Sequence, residues 1–186
     1  LFQPLCVTFE PRCKYWSIAG SSRDPNVTFE NRSREQGLLS FVTSYVFTIH
    51  EANRLWWCEN PNRSAIWTES PLVKFDLVKY ETPEIRELCN GVTAMCAFSD
   101  QADGKRSKKL TRMKGNVQLH KSKRTCSCWY SHVILQGKDP ATGLNWTASA
   151  AAYHHKFCIA LCGDIINTVN GKCLFDVLCF AVSKPL

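Results

Sequence analysis

Residues 38–50 read LLSFVTSYVFTIH, and this stretch decides the predicted fold. Apolar, aromatic and β-branched side chains occupy every second position, namely Leu39, Phe41, Thr43, Tyr45, Phe47 and Ile49. Period-two alternation of this kind is typical of a strand that is buried on one face. The stretch therefore predicts a long strand, and Glu51-Ala52-Asn53 predicts a turn into a second strand at 55–58.

Similar patterns predict further strands at 64–68, 72–80, 92–98 and 125–135, and a C-terminal hairpin of 156–166 and 172–182 that turns at Asn170-Gly171. One short helix is expected at 83–89, because Thr82 suits an N-cap and Pro83 a first helical turn. Together these elements predict a mainly β fold, an antiparallel sandwich or barrel of about eight strands with one short helix. The alternative is an α+β fold in which 148–162 is partly helical, since the alanine-rich run there favours a helix.

The composition is that of one globular domain covering 1–186. Apolar residues make up 45% of the chain and charged residues 21%. No run of about 18 apolar residues occurs, so no membrane span is predicted. The first residues, Leu1 to Pro4, lack the features of a signal peptide, and we expect a processed start from which any signal peptide has been removed.

Cysteine is the most informative residue type. The chain has eleven: Cys6, Cys13, Cys58, Cys89, Cys96, Cys126, Cys128, Cys158, Cys162, Cys173 and Cys179. Such a density indicates disulfide bonds formed in an oxidising compartment, so we expect a disulfide-stapled fold. Because the number is odd, one cysteine is left unpaired or bonded to another chain.

Four sequons for N-linked glycosylation support the same compartment. They begin at Asn26, Asn31, Asn62 and Asn145, and none has proline at its second position. Together, the cysteines and sequons predict a glycoprotein of the secretory pathway that is extracellular, on a virion or on a cell surface.

A basic stretch is predicted to form an exposed loop at 99–124. Between Gly104 and Arg124 it carries nine positive charges and no acidic residue, against a net charge of +7 for the whole chain: Lys105, Arg106, Lys108, Lys109, Arg112, Lys114, Lys121, Lys123 and Arg124. Such a run lies in water, so we predict a docking surface for glycosaminoglycan or for an acidic patch on a protein partner. Nucleic acid is not expected, because no aromatic residues interleave the charges as a stacking platform.

The same stretch ends in a candidate processing site. Lys121-Ser122-Lys123-Arg124 resembles the recognition pattern of furin-like proprotein convertases, which implies cleavage after Arg124. Exposed loops are the usual sites of such cleavage.

Catalytic and metal-binding chemistry are not predicted. The histidines of a ribonuclease-like site would come from His50, His120, His132, His154 and His155, but no ribonuclease, serine-hydrolase or zinc-protease motif surrounds them. A zinc site at His154, His155, Cys158 and Cys162, with Cys126 and Cys128 as additions, has the right residue types. Its spacing matches no zinc motif, and in an oxidising compartment the sulfurs pair with each other. We therefore expect no cofactor.

These features predict a secreted or surface-exposed, non-enzymatic binding module that recognises a protein receptor or a partner subunit, such as a viral attachment subunit or a pathogen immune modulator. The first alternative is a secreted basic hydrolase such as a ribonuclease. The second is a carrier of small apolar ligands, because Lys14-Tyr15-Trp16-Ser17-Ile18-Ala19 resembles the first strand of lipocalins, although the glycine before the tryptophan is absent.

Overall fold

The structure, a computed structural model, describes residues 4–17, 24–99, 107–133, 138, 143 and 153–182, the last eleven of these as backbone only. The strands are β1 (Cys6–Phe9), β2 (Leu55–Pro61), β3 (Gly91–Ala94) and β4 (Leu110–Gly115). The α-helices are α1 (Pro25–Glu51), α2 (Ile66–Glu69), α3 (Pro83–Cys89) and α4 (His155–Val182). Two 3₁₀ helices, Pro71–Leu77 and Met95–Phe98, complete the elements.

The four strands form one mixed sheet in the order β1-β2-β4-β3. Strand β1 runs parallel to β2, with Phe9 opposite Cys58, and the two are connected through α1 as a β-α-β unit. Strand β4 runs antiparallel to both β2 and β3. The carboxyl ends of β1, β2 and β3 therefore meet at one edge of the sheet.

The stretch that decided the predicted fold is helical, and the predicted strand at 38–50 is wrong. Helix α1 begins at Pro25 after the N-cap Asp24, whose side chain accepts a hydrogen bond from the Asn26 backbone. Its buried residues recur at helical spacing: Leu39, Val42, Thr43, Val46 and Ile49. Phe41, which the strand pattern placed in the core, is 63% exposed. Three of the buried positions fit both periods, and Val42 and Val46 distinguish them.

The predicted sandwich or barrel of eight strands is also wrong, because most of the other predicted strands are not strands. Residues 64–68 and 72–80 contain α2 and a 3₁₀ helix, and 92–98 divides between β3 and the second 3₁₀ helix. The described part of 125–135 contributes only an isolated bridge at Val133. The predicted hairpin at Asn170-Gly171 lies inside the continuous helix α4. A mixture of helices and a small sheet is closer to the α+β alternative.

Two local predictions are confirmed. The strand at 55–58 forms the first part of β2. The short helix at 83–89 is α3, and the Thr82 hydroxyl accepts a hydrogen bond from the Ile85 backbone at 3.3 Å, as an N-cap should.

The core has two halves, one on each face of β2. Trp56 and Trp57 point to opposite faces, as expected for neighbours in a strand, and both are buried. The half around Trp56 includes α1 and the first 3₁₀ helix, through Leu39, Val42, Val46, Ile49, Leu72 and Phe75. The half around Trp57 includes α4, through Phe157, Ala160 and Leu161. The sheet therefore lies between helices, and among the described residues no helix is both long and apolar enough to cross a membrane.

A buried carboxylate ties α4 to the segment after β4. Asp164 is fully buried and accepts hydrogen bonds from the backbone of Lys121 at 2.9 Å and of Ser122 at 2.8 Å, and from the Ser122 hydroxyl at 2.7 Å. One turn later, the Thr168 hydroxyl accepts from the Gln118 backbone at 3.0 Å. Because a buried charge is tolerated only with such partners, these bonds fix the segment on the helix.

The basic stretch at 99–124 is therefore not one exposed loop. Its middle, Leu110–Gly115, is β4, which lies between two other strands. Lys114 is only 8% exposed, and its ammonium lies 2.6 Å from an oxygen of Asp76. Counting charges along the chain could not show that alternate residues of this stretch face the core.

Gly115 offers a test of the sheet packing. A Cβ atom at this position would lie 2.4 Å from the Trp56 carbonyl oxygen and 2.8 Å from the Trp57 Cα. We expect Gly115→Ala to lower the free energy of unfolding by about 1–3 kcal/mol, because β4 must move away from β2. The matched control is Gly37→Ala in α1, where nothing lies within 4 Å and where helix propensity gains up to about 1 kcal/mol. Urea denaturation measures both, and equal stability of the two variants would contradict the packing.

Candidate functional site

The carboxyl ends of β1 and β2 bring polar residues together. In the parallel register Phe9 lies opposite Cys58, so the residues that follow, Glu10 and Glu59, are neighbours. The side-chain amide of Asn60 donates to the Pro11 carbonyl at 2.8 Å, which holds the chain after β1 against the end of β2. In open sheets with parallel strands, ligands bind outside the carboxyl ends of the strands. This edge is therefore the candidate binding site.

Cys13 lies in the segment after β1. Its carbonyl accepts hydrogen bonds from the backbone of Trp16 at 3.0 Å and of Ser17 at 2.9 Å, so it begins a tight turn, and its side chain is half-buried. Burial raises the pKa of the Cys13 thiol, the negative charge of Glu59 raises it further, and the Lys109 ammonium acts in the opposite direction. The thiol therefore shares its electrostatic surroundings with a carboxylate and a lysine.

Glu59 lies in β2, two residues after Trp57, and therefore on the face of the sheet that α4 covers. Burial raises the pKa of the Glu59 carboxyl, while the neighbouring Tyr153 hydroxyl and Lys109 ammonium moderate the rise. Burial and the Glu59 charge in turn raise the pKa of Tyr153. The Lys109 ammonium lies 4.4 Å from the centre of the Tyr153 ring. We call Cys13, Glu59, Lys109 and Tyr153 the strand-end cluster.

Several buried polar atoms at this edge have no hydrogen-bond partner within the described part of the chain. They are Glu59 Oε2, Asn60 Oδ1, Thr111 Oγ1 and the Tyr153 hydroxyl oxygen. Thr111 lies in β4 opposite Pro61, so it belongs to the same edge. Buried polar atoms are nearly always satisfied by protein, water or ligand, so these atoms make this edge a polar part of the interior.

A cleft of about 440 Å³ opens next to the residues that follow β2, and none of the four residues of the strand-end cluster lines it. Trp16 forms part of it three residues after Cys13, and the residues that follow β2 form another part. Its lining carries three arginines and one glutamate: Arg32, Arg63, Arg112 and Glu69. Positive charge predominates, so the cleft favours an anionic ligand.

The three arginines of the cleft differ in the contacts that their side chains make. Arg32 pairs with Glu69, donates to the Tyr15 carbonyl at 2.8 Å, and lies over the Trp16 ring. Arg112 donates to the Asn62 side chain at 3.1 Å. Arg63 is exposed at the rim. Fixed and mobile positive charges thus surround one opening, which suits recognition of a small anion.

The described basic residues of the predicted docking surface do not all lie in one exposed loop. Lys123 donates to the Glu87 carbonyl at 3.0 Å and the Asn90 carbonyl at 3.3 Å, while Arg112 and Lys114 belong to β4. Lys105 and Arg106 lie outside the described residues. The docking surface stays a prediction with fewer exposed charges than the sequence suggested.

The candidate processing site is held in place. The Arg124 backbone donates to the Thr93 hydroxyl at 3.1 Å, and its carbonyl accepts from the Ala94 backbone at 2.8 Å. A protease needs an extended, detached chain, so cleavage after Arg124 requires this pairing with β3 to open.

Two of the sequons lie in α1, since Asn26 and Asn31 are helical and the Asn31 amide donates to the Val27 carbonyl at 2.8 Å. Asn62 lines the cleft and binds Arg112. Asn145 lies outside the described residues, and glycosylation stays a prediction.

Among the nine cysteines whose side chains the structure describes, some lie near one another, but none is at disulfide distance. The disulfide bonds expected from the sequence stay a prediction. Cys158 and Cys162 are exposed one turn apart on α4, while the side chains of Cys173 and Cys179 lie outside the described set.

The histidines form no ribonuclease-like pair in the cleft. The rings of His154 and His155 are 4.6 Å apart, but they are sequence neighbours at the start of α4. His50 binds the Lys79 carbonyl and lies against Trp56, and the exposed His120 contacts Gln118.

Comparison with protein-family models, with curated proteins and with solved structures finds no match for this chain. The site therefore has to be understood from its own geometry.

Sequence reasoning missed the strand-end cluster because it assigned each member another role. Cys13 was expected in a disulfide, and Lys109 was expected in the basic docking surface. The available signal was the position of Glu59 and Asn60, two polar residues directly after the buried run 55–58. Tyr153 could not be found this way, because only the tertiary fold brings it to the edge.

The electrostatic link between Cys13 and Glu59 predicts a change in thiol reactivity. In Glu59→Gln the negative charge is removed, so the pKa of the Cys13 thiol falls and more thiolate is present at pH 8. We expect iodoacetamide to alkylate Cys13 on the order of three- to ten-fold faster. Peptide mass spectrometry measures the rate, with the exposed Cys158 as internal reference.

The matched control is Glu81→Gln, an exposed glutamate in the turn before α3. It should leave the Cys13 rate unchanged. An unchanged rate in Glu59→Gln as well would show that the two groups do not interact.

Proposed function

We propose that this chain is an enzyme that binds a small anionic substrate in the arginine-lined cleft and uses Cys13 as a nucleophile. The observation that carries the proposal is that Cys13 and a partly buried carboxyl with a raised pKa, Glu59, influence each other electrostatically near the carboxyl ends of two parallel strands. Titratable groups with shifted pKa values that cluster beside a cleft are typical of catalytic sites.

The proposed step is addition of the thiol across a polarised double bond. The Cys13 thiol gives its proton to Glu59, and the sulfur bonds to the electrophilic carbon of the substrate. The electron pair of the double bond moves to the heteroatom, which takes the same proton back from Glu59. One proton and one electron pair are thus transferred, and no external oxidant or reductant is required.

The raised pKa of Glu59 supports its role as proton carrier. A carboxyl group whose pKa lies nearer to neutral pH both accepts and releases a proton more readily than an exposed one. Lys109 lies close enough to both groups to stabilise the thiolate while the proton is on Glu59. Tyr153 closes the α4 side of the cluster and shields it from water.

The extracellular binding module predicted from the sequence stays a prediction, as do the ribonuclease and carrier alternatives. The strand-end cluster and the cleft favour an enzyme over a passive binding surface.

The charge of the cleft can be tested with two reagents of similar size. Iodoacetate is anionic and iodoacetamide is neutral, and both alkylate cysteine. If the arginines attract anions to Cys13, the ratio of the iodoacetate rate to the iodoacetamide rate should be higher at Cys13 than at Cys158. Arg63→Gln and Arg112→Gln should each lower the Cys13 ratio on the order of two- to five-fold.

Arg86→Gln on α3 is the control, because this arginine is exposed and does not line the cleft. It should leave the ratio as it is. A Cys13 ratio that is equal in all three variants and the unmodified protein would rule out anion recognition by the cleft.

A further inference from the structure

A second group of chemically active side chains lies at the same edge of the sheet, beyond β4. The ligand atoms of Cys96, Cys126, Cys128 and His132 all lie within 4.8 Å of one another. The sulfur of Cys126 is 3.5 Å from Nε2 of His132. In a tetrahedral zinc site, zinc–sulfur bonds of about 2.3 Å and zinc–nitrogen bonds of about 2.0 Å place these two atoms roughly 3.6 Å apart.

We propose that Cys96, Cys126, Cys128 and His132 bind one zinc ion in a closed, structural site. Three thiolates and one imidazole are a standard ligand set for tetrahedral zinc. The set fills all four positions, so no position is left for water or substrate. Zinc here stabilises the fold and takes no part in the reaction.

The backbone delivers the four ligands to one point. Cys96 lies in the 3₁₀ helix Met95–Phe98, two residues after the end of β3. Hydrogen bonds hold Arg124 beside Thr93 and Ala94 at the end of β3. Cys126 follows two residues later and therefore lies close to Cys96. The short spacings Cys126-x-Cys128 and Cys128-x₃-His132 then turn the chain around the metal.

A metal ligand would add order to the segment 125–132. It has no regular helix or strand, and Trp129, its largest side chain, is 86% exposed. Cys126, Cys128 and His132 are only partly buried. Metal binding supplies folding free energy to segments that cannot bury enough apolar surface.

A disulfide explains the arrangement less well. A bond between two of the cysteines would leave the third thiol and the imidazole gathered at the same point without a function, whereas zinc uses all four. The sequence alone suggested a different set of residues as zinc ligands. Of that set, the structure keeps Cys126 and Cys128, but Cys158 and Cys162 are exposed on α4 and do not join the cluster.

The proposed zinc site also supports one side of the strand-end cluster. In the metal-held 3₁₀ helix, the Met95 backbone donates to the Lys109 carbonyl at 2.9 Å. Phe98 packs edge-on against Phe157 at 5.4 Å, and Phe157 contacts Tyr153 at 5.2 Å. Loss of zinc should therefore loosen Lys109 and Tyr153. This consequence rests on the proposed function, whereas the metal binding does not.

Metal analysis of the full chain, purified under reducing conditions, tests the site. We expect one zinc per chain by plasma mass spectrometry, and the charge-transfer absorption of tetrahedral cobalt–thiolate when Co²⁺ replaces zinc. Cys126→Ser should lower zinc affinity at least about 100-fold. His132→Cys should retain one metal per chain as a four-cysteine site, which shows whether the segment still folds when a ligand changes.

Cys158→Ser and Cys162→Ser are the matched controls and should keep one zinc per chain. Cys13→Ser should keep it too, so failure of the proposed enzyme and failure of the metal site give different results. Absence of zinc from the unmodified protein, retention of zinc in Cys126→Ser at full affinity, or a disulfide among the three cysteines in reduced material would each overturn the proposal.

Discussion

Burial of β2 on both faces is the constraint on which the rest of the structure depends. Trp56 and Trp57 are neighbours, so they must point to opposite sides of the sheet, and both are almost fully buried. Each indole removes a large apolar area from water and therefore requires a cover. Helix α1 and the first 3₁₀ helix cover one face, and α4 covers the other. A two-layer sandwich could cover only one of them.

The packing of helices on both faces of β2 explains the position of the candidate site. Connecting β1 to β2 through α1 makes the two strands parallel, so both end at the same edge of the sheet. In the part of the chain that the structure describes, helices cover the faces of β2, and the candidate site lies at the ends of the strands. Cys13, Glu59 and the arginines of the cleft lie at that edge, and the four proposed zinc ligands lie along it beyond β4.

Two local signals in the sequence predicted local structure correctly. The second strand and the helix capped by Thr82 are found as expected, because each depends on a few adjacent residues. The long stretch at 38–50 failed because Leu39, Thr43 and Ile49 fit a period of two as well as a helix. The pair Asp24-Pro25 carried the decisive signal, an N-cap followed by a first-turn proline.

The site was harder to predict than the fold, because its members are far apart in the chain. Cys13, Glu59, Lys109 and Tyr153 meet only after the strands pair and α4 docks through Asp164. The number of cysteines predicts oxidised bridges, and the arrangement of the described cysteines brings three of them to one histidine. Spacing along the chain could not show this, because Cys96 is contributed by a different element from the other three ligands.

The most direct test of the account is the titration of Glu59 itself. With the glutamate carboxyl carbons labelled by ¹³C and the Glu59 signal assigned from the Glu59→Gln variant, NMR follows its ionisation with pH. Because burial outweighs Tyr153 and Lys109, the account predicts a midpoint clearly above the value of about 4.3 that is usual for glutamate. A midpoint at or below that value would mean that Glu59 is exposed to water and that the ends of β1 and β2 do not form the site described above.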